Sequence, residues 1–449
     1  MINIVRNSYF TICALLFFSC NSISTLNYKE IGNDANLLTI HEGIVCTEAE
    51  RIKYTSNDGN NVIITLSKPL KIAQAVQEEA WGFFQFPSMG KADDGTLIIS
   101  WQMKEDSHIS YGKNSVRDFK PMISKDGGRS WKEEDRNYFY LTGGYNVRLS
   151  NGDIIQTYTP TAKPIATYRQ FPKAVGNRKG YSFYKMNELP DELQGIYLNY
   201  YYHNNNKSEL IHAKIHDKGL LRYAINGFMP VVWWGNIKEL ADGSIVAGCH
   251  PCFYLGKEGE VSPSGVTFYQ STDKGLTWNA ISKIPFLKNG HPKYYEEPAF
   301  EILSDSTFIC IVRTGAVSPM YRSFSSDKGM SWSVPEPFTP NGVKPRLLKL
   351  KNGILVLVSG RPGVQIRFCL DGLGRKWTIP IDMISFMKGN GTYTRDVSCG
   401  YVSIVEADDD SFYVAYSDFT TKNERGEIRK SIWFRKIKVT KNGGNSIRQ

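Results

Sequence analysis

Beyond its first twenty residues the chain has no apolar run long enough to cross a bilayer as a helix, which excludes helical membrane spans from the remaining sequence. Lysine and arginine are scattered rather than clustered, so the net charge of +10 leaves no nucleic-acid footprint. It implies only a mild attraction for acidic ligands. The cysteines answer no metal pattern. Cys249–His250–Pro251–Cys252 has a C-x-x-C spacing but no second pair, so neither a zinc site nor any other metal or cofactor is expected. Cys310 and Cys369 fall within apolar stretches and read as buried packing residues. Charged residues make up a modest 22%, whereas aromatics reach 13%, with 25 Tyr and 9 Trp, a mix that suits a β-rich protein that handles sugars.

The N-terminus reads as a targeting segment. Arg6 precedes an apolar run from Tyr9 to Phe18, followed by Ser19–Cys20. The run is too short for a mature membrane helix and fits a signal peptide over residues 1–20. Cys20 after a small residue matches a bacterial lipoprotein processing site, although Phe17 is not the usual residue three positions before it. A secreted protein is expected, cell-surface or periplasmic, touching the membrane only through a lipid on Cys20. Residues 21–36 read as a tether, and 37–80 as strands that close or flank the main domain, with a turn at Asn57–Asp58–Gly59–Asn60. Residues 441–449 read as a polar tail.

What the chain does have is a repeat. Ser325–Ser326–Asp327–Lys328–Gly329–Met330–Ser331–Trp332 reads S-x-D-x-G-x-x-W, and Ser124 to Trp131 and Ser271 to Trp278 fit the same pattern. Asp371 to Trp377 is a looser copy with one extra residue. Each predicts a self-capped turn. The Asp accepts backbone N–H bonds, the Gly takes a conformation other residues resist, and the Trp packs on its own sheet. A second repeat, strand–Asp/Asn turn–strand, has its turns at Asp94, Asn151, Asp242, Asp305, Asn352 and Asp409. Most are about 50 to 60 residues apart, the size of a four-stranded blade with its loops. The longer step from Asn151 to Asp242 holds a Lys-, Tyr- and Asn-rich insertion, about Lys163 to Tyr223. The pattern predicts an all-β fold. It is a six-bladed β-propeller of four-stranded antiparallel blades over residues 81–440, with an enlarged second blade; a seventh blade inside the insertion is the alternative.

In such a fold, residues at equal offsets from the turns form a ring around the axis. Eight positions after the turns stand Gln102, Thr159, His250, Arg313, Gly360 (Arg361 next) and Ser417 (Asp418 next). Eight positions before stand Phe86 (beside Gln85), Gly143, Trp234, Glu297, Lys344 and Tyr401. The polar members are expected to line one pocket. Among them, a tyrosine beside a glutamate can act as a nucleophile, because the carboxylate takes the phenolic proton. Arginines recognise a carboxylate in bidentate fashion. Trp234 can stack on a sugar face or fill the core, and His250 is a candidate pocket group.

The S-x-D-x-G-x-x-W turns are Asp-box (BNR) repeats, and these segments resemble the sialidase superfamily. Glu296–Glu297–Pro298–Ala299–Phe300–Glu301, with the strand ending Ile311–Val312–Arg313, is similar to the sialidase segment carrying the catalytic Glu and one arginine of its triad. Gly400–Tyr401–Val402–Ser403–Ile404 resembles the segment of the Tyr nucleophile. Arg361, in Ser359–Gly360–Arg361–Pro362, sits near the place of a further arginine, with Arg367 as its rival. Phe84–Gln85–Phe86–Pro87 looks like the F/Y-R-I-P motif, with Gln85 in place of the first arginine. Lys344 is the candidate replacement cation. The resemblance implies an exo-acting glycoside hydrolase that removes an acidic or modified terminal sugar, with Tyr401 as nucleophile and Glu297 as its base. It places an acid/base Asp after the second strand. Asp106 is the first choice, with His108, Glu105 and Asp118 as alternatives. Arg313, Arg361, His250, Gln85, Lys344 and Trp234 are then expected to bind substrate. Two other readings stay open. One is a polysaccharide lyase or uronate-glycan glycosidase with a His/Tyr acid–base pair; the other is a non-catalytic glycan-binding propeller.

Overall fold

The computed structural model describes residues 25–29, 38, 43–55, 61–106, 117, 119–135, 139–142, 145–287, 290–384 and 397–442. The signal segment, the turn at residues 57–60, His108, Asp118, Gly143 and most of the polar tail lie outside the described residues.

The protein is all-β. Its unit is a four-stranded antiparallel meander, and the Asp/Asn turns show why the chain folds back where it does. The carboxylate of Asp94 accepts the N–H of Thr96 at 2.9 Å, Asp305 that of Thr307 at 3.0 Å, and the Asn352 side chain that of Ile354 at 3.1 Å. The residue after each turn residue lies at positive φ, where glycine is at ease: Gly95 at 82°, Gly243 at 78° and Gly353 at 83°. Apolar strands such as Ile245–Cys252 and Leu355–Gly360 follow and are buried on both faces.

The first meander is Gln85–Lys91, Leu97–Gln102, Met122–Ser124 and Lys132–Glu133. The second is Asn146–Arg148, Ile154–Tyr158, Ile196–Tyr202 and Lys207–His216. The third is Trp234–Glu239, Ile245–Cys252, Gly265–Ser271 and Thr277–Lys283, joined to the second by parallel pairing of Lys214–His216 with Thr277–Asn279. The next two begin at Glu296–Ile302 and Val343–Lys349. The last is Val402–Glu406, Ser411–Asp418 and Ser431–Asn442. Its outer edge is completed by Asn61–Leu66 and Leu70–Gln74 from the N-terminal region. The leading strands pack against one another in succession, from Asn146–Arg148 round to Val402–Glu406, and the last packs on Gln85–Lys91. Between the first and second meanders a single turn of helix, Phe139–Thr142, packs on both.

Two expectations change. Thr25–Lys29, placed in the tether, is a strand paired in parallel with Glu50–Thr55. The insertion is partly the outer half of the second meander and partly a separate five-stranded sheet: Lys163–Pro164, Phe228–Met229, Leu221–Ile225, Tyr181–Lys185 and Gly176–Arg178.

The S-x-D-x-G-x-x-W turns close as their chemistry requires. In Ser271–Trp278 the Ser hydroxyl donates to Asp273 at 2.8 Å and accepts the Gly275 N–H at 2.8 Å. The indole N–H of Trp278 reaches the Gly275 carbonyl at 2.8 Å. The looser copy reveals what its pattern hid. Cys369 stands where Ser stands elsewhere, its thiol donating to Asp371 at 3.0 Å and accepting the Gly374 N–H at 3.1 Å. Cys369 is buried, as expected, but as the turn's hydrogen-bonding group. Cys369→Ser is therefore expected to change stability by less than about 1 kcal/mol, whereas Cys369→Ala strands a buried N–H and costs about 1–2 kcal/mol. Urea unfolding midpoints compare the two; equal losses would mean that volume, not hydrogen bonding, decides this position.

Candidate active site

Three leading strands begin with the same device. In Gln85–Phe86–Pro87, Glu296–Glu297–Pro298 and Val343–Lys344–Pro345, the ladder slips between the first residue and the one after the proline. Proline has no N–H for the ladder, so pairing breaks there and an extra residue is accommodated. The middle residue, Phe86, Glu297 or Lys344, lies at φ 51°, 48° and 48° respectively. Non-glycine residues in this region are strained and tend to mark functional positions. Here the bulge turns each of these side chains into a central cavity of about 810 Å³. Trp234 and Tyr401, at the same offset in their own meanders, line it too.

The centre of the cavity is a buried charge network. Glu297, 5% exposed, accepts a hydrogen bond from the Tyr401 hydroxyl through Oε1. Arg313 Nη1 reaches the same oxygen at 3.0 Å and the Tyr401 oxygen at 3.4 Å. The other carboxylate oxygen accepts the backbone N–H of Lys344 at 2.8 Å. Burial would push the Glu297 carboxyl up, but Arg313, Lys344 and the Tyr401 hydroxyl together hold it down to about 2. For Tyr401, burial first and the neighbouring Glu297 carboxylate second drive the phenol well above its ordinary range. At rest the pair is thus a neutral phenol donating to a carboxylate. Phe86 sets its ring edge-on to Tyr401, with centroids 4.8 Å apart.

Around this centre lie the other groups. Arg361, 5% exposed, lines the cavity and donates to the Cys399 carbonyl at 3.3 Å. Its rival Arg367 is buried in the sheet opposite Leu357 and does not line the cavity. Asp106 lines the cavity and accepts the Trp81 indole N–H at 3.0 Å. Trp234 lies beside His250, ring centroids 5.8 Å apart, and donates to Thr159 at 3.3 Å. Glu296 lines the cavity rather than standing in open solvent. Its burial raises the carboxyl while Arg313 opposes that.

Gln85 requires a correction. Expected among the substrate-binding residues, it is fully buried outside the cavity lining. Oriented to satisfy its neighbours, its amide oxygen accepts from Lys430 Nζ at 3.0 Å and from the Gly82 N–H at 3.3 Å. The cause is the bulge. Gln85 still pairs in register with Gln102, and Phe86 takes the inward position.

His250 is buried at the cavity, and its Nδ1 has no hydrogen-bond partner among the described residues. Burial pushes the imidazole down to about 3; Glu297 opposes this, and Lys344 and Arg313 add to it. Both His250 and Glu297 bind protons more readily unfolded than folded, so acidification below their ordinary ranges destabilises the fold. In the working range His250 is neutral. The pH profile of kcat/KM is expected to show no step near pH 6.5 (the ordinary histidine range) and to keep its shape in His250→Asn. A limb near that pH that the variant abolishes would contradict this.

Sequence reasoning missed several cavity residues. Tyr145, whose hydroxyl meets Lys344 Nζ, and Arg346, whose guanidinium lies 4.9 Å from the Tyr145 ring centroid, both contribute. Each stands six residues before its turn, one pleat beyond the ring positions used, and so was within reach of the same register argument. Arg178, Lys179, Tyr181 and Tyr223 come from the insertion, which no repeat register covers. Among the described residues the lining then holds six cations (Arg178, Lys179, Arg313, Lys344, Arg346, Arg361) against three carboxylates (Asp106, Glu296, Glu297), an excess that favours an anionic ligand.

No family model matches the chain, and no curated protein matches it. Among solved structures, a protein of unknown function from Dyadobacter fermentans is similar, with a TM-score of 0.55 at 17% identity over 83% of this chain and 99% of that one. At that identity the likeness speaks to the fold alone. The NanB sialidase of Streptococcus pneumoniae gives a TM-score of 0.46 at 14% identity, over 83% of this chain and 71% of that one. An α-L-arabinanase of Penicillium chrysogenum in complex with arabinobiose gives 0.46 at 14% identity, over 82% and 98%. These two likenesses carry no functional weight.

Proposed function

We propose that the protein is a six-bladed, sialidase-like β-propeller that hydrolyses a terminal acidic or modified sugar from glycans, secreted and held to the membrane by a lipid on Cys20. The observation that carries the reading is the hydrogen bond from the Tyr401 hydroxyl to buried, ionised Glu297, bridged by Arg313 at the floor of a cation-rich cavity. Its frame is the succession of meanders whose leading strands pack one on the next from Asn146–Arg148 round to Gln85–Lys91, with their S-x-D-x-G-x-x-W turns.

In the mechanism this arrangement supports, the Tyr401 oxygen attacks the anomeric carbon while Glu297 takes the phenolic proton. The glycosidic bond breaks, and Asp106 donates a proton to the leaving oxygen. Water, deprotonated by Asp106, then attacks the same carbon. The bond to Tyr401 breaks, and the phenoxide recovers its proton from Glu297. A tyrosine suits this role beside an anionic sugar, because the neutral phenol approaches without the repulsion a carboxylate nucleophile would meet. Arg361, Lys344 and Arg346 supply the cationic contacts that Gln85 cannot, and Arg313 keeps Glu297 ionised while facing the same space.

The test is hydrolysis of an aryl α-sialoside by the mature protein, with Tyr401→Phe as control. Turnover that depends on Tyr401 supports the reading. Turnover that survives Tyr401→Phe, or an unsaturated ultraviolet-absorbing product from uronate glycans, would replace it with another glycosidase mechanism or a lyase.

A further inference from the structure

The five-stranded sheet built from the insertion has two faces of opposite character. Cross-strand pairing aligns Arg178, Tyr181 and Ile225 in one row, and Gly176, Phe183 and Tyr223 in the next, all on one face. The other face carries Tyr184 and Ala224, which pack with Leu189, Leu193, Met229 and Val231 in a small core of their own. On the first face Phe183 is buried against Phe253, but among the described residues no hydrophobic cluster covers Tyr181 and Tyr223. This face lines the same cavity as Tyr401 and Glu297. Its rings support one another: Tyr181 and Tyr223 are 5.4 Å apart, edge to face, and Phe253 lies 4.9 Å from Phe183 and 6.0 Å from Tyr223. Tyr181, Tyr223 and Phe253 remain half-buried, with ring surface left for a ligand.

This wall is fixed rather than loose. Asp217, just before the strand Leu221–Ile225, accepts hydrogen bonds from the hydroxyls of Tyr254 at 2.6 Å and Tyr269 at 2.8 Å in the third meander. Arg222, on the back of the sheet, is 5% exposed and donates to the carbonyls of Val232 and Gly195. The hairpin tip is a two-residue turn, Lys179 at φ 51° and Gly180 at φ 82°, the geometry that matches strand twist.

We infer that this aromatic face is a binding site for the leaving-group sugar, so that the protein acts on oligosaccharides rather than on isolated terminal residues. The inference rests on the glycosidase reading above. Aromatic faces stack on the C–H faces of a pyranose, and the phenolic hydroxyls and Arg178, at the end of the same row, meet its ring oxygens and hydroxyls. Among the described residues Arg178 and Lys179 have no ion-pair partner, so an acidic substituent on that sugar would be accepted. The terminal sugar occupies the space before Tyr401, and the next ring falls to the wall.

The experiment compares 3′-sialyllactose, which carries a leaving-group disaccharide, with α-sialyl fluoride, which carries none. The variants are Tyr181→Ala with Tyr223→Ala, the milder Tyr181→Leu with Tyr223→Leu, and Arg178→Ser, with thermal melts to confirm folding. The double alanine variant is expected to lose about 10- to 100-fold in kcat/KM on sialyllactose and to change less than about twofold on the fluoride. Equal losses on both substrates, or no loss on either, would overturn the inference. If wild type turns over neither, sialic acid is the wrong sugar, and binding decides the wall separately. Titration calorimetry of Tyr401→Phe with sialyllactose, a galacturonate trimer and a chondroitin sulfate tetrasaccharide is repeated with the wall residues replaced. Binding weakened tenfold or more by the wall changes supports the site; binding indifferent to them, or none at all, overturns it.

Discussion

Turnover is expected to fall by about 10³-fold or more when Tyr401 becomes Phe, with the fold intact. The ring keeps its edge-on contact with Phe86 at 4.8 Å, and only the hydroxyl is lost. That hydroxyl meets Glu297 and Arg313, two groups that still satisfy each other at 3.0 Å once it is gone. The melting temperature is therefore expected to stay within a few degrees while kcat collapses. Glu297→Gln gives a different signature. It would remove the proposed base and leave Arg313, 14% exposed at its side chain, as a nearly buried cation without its hydrogen-bonded partner, with only Glu296 nearby to balance it. Breaking a buried pair in this way costs about 3–5 kcal/mol. Activity and stability thus fall together in Glu297→Gln and separate in Tyr401→Phe. Steady-state kinetics and a thermal melt on each variant decide between this reading and a glycan-binding protein, whose affinity would survive Tyr401→Phe and which would show no turnover to lose.

The meanders and most of the cavity ring were legible because two repeats share one register. A turn residue fixes where each strand begins, and the inward position at the start of each leading strand, bulged in three of them, lies at a constant distance from it. Glu297, Lys344, Tyr401, Trp234, His250 and Arg313 were therefore gathered by counting, with no knowledge of contacts. Gln85 shows the limit of the motif resemblance, at a position where the counting, which lands on Phe86, agrees with the cavity lining. The motif resemblance points to the first residue of the bulge, but the backbone turns Phe86 inward and leaves Gln85 against Lys430. One position separates a pocket residue from a core residue, and the resemblance alone does not resolve it. The insertion was illegible for another reason. Its sheet pairs strands separated by long excursions, Tyr181–Lys185 with Leu221–Ile225, and single-sequence periodicity carries no information about such non-local pairing. Cys369 was read from burial alone, since a thiol acting as the turn's hydroxyl has no signature beyond its spacing to Asp371.

Trp278→Ala is expected to be more damaging than the matching changes at Trp131 and Trp332, costing about 3–5 kcal/mol. Trp278 is fully buried, whereas Trp131 and Trp332 in the matching turns remain partly exposed. It packs edge to face on Trp233, with centroids 4.9 Å apart. Its indole N–H also closes the turn at Gly275, which holds φ 88°. Truncation therefore opens a cavity and releases a turn together. The position matters beyond its volume, because Trp278 pairs in parallel with Ile215 where the second and third meanders join. Two residues further on, Asp217 ties the insertion sheet to Tyr254 and Tyr269. Loosening this junction is expected to reach the aromatic wall of the cavity before it reaches Tyr401, which stands just before the much later strand Val402–Glu406. A melt lowered by roughly 5 °C, with kcat/KM on an oligosaccharide reduced more than on a glycosyl fluoride at a temperature where the variant is folded, is the expected pattern. Trp131→Ala, in the first meander and remote from that junction, is the control: a smaller loss of stability with both substrates handled alike. If the two variants behaved identically, the parallel seam would be no more than one repeat contact among others, and the rigidity assigned to the wall would have to come from Arg222 and the small core behind it.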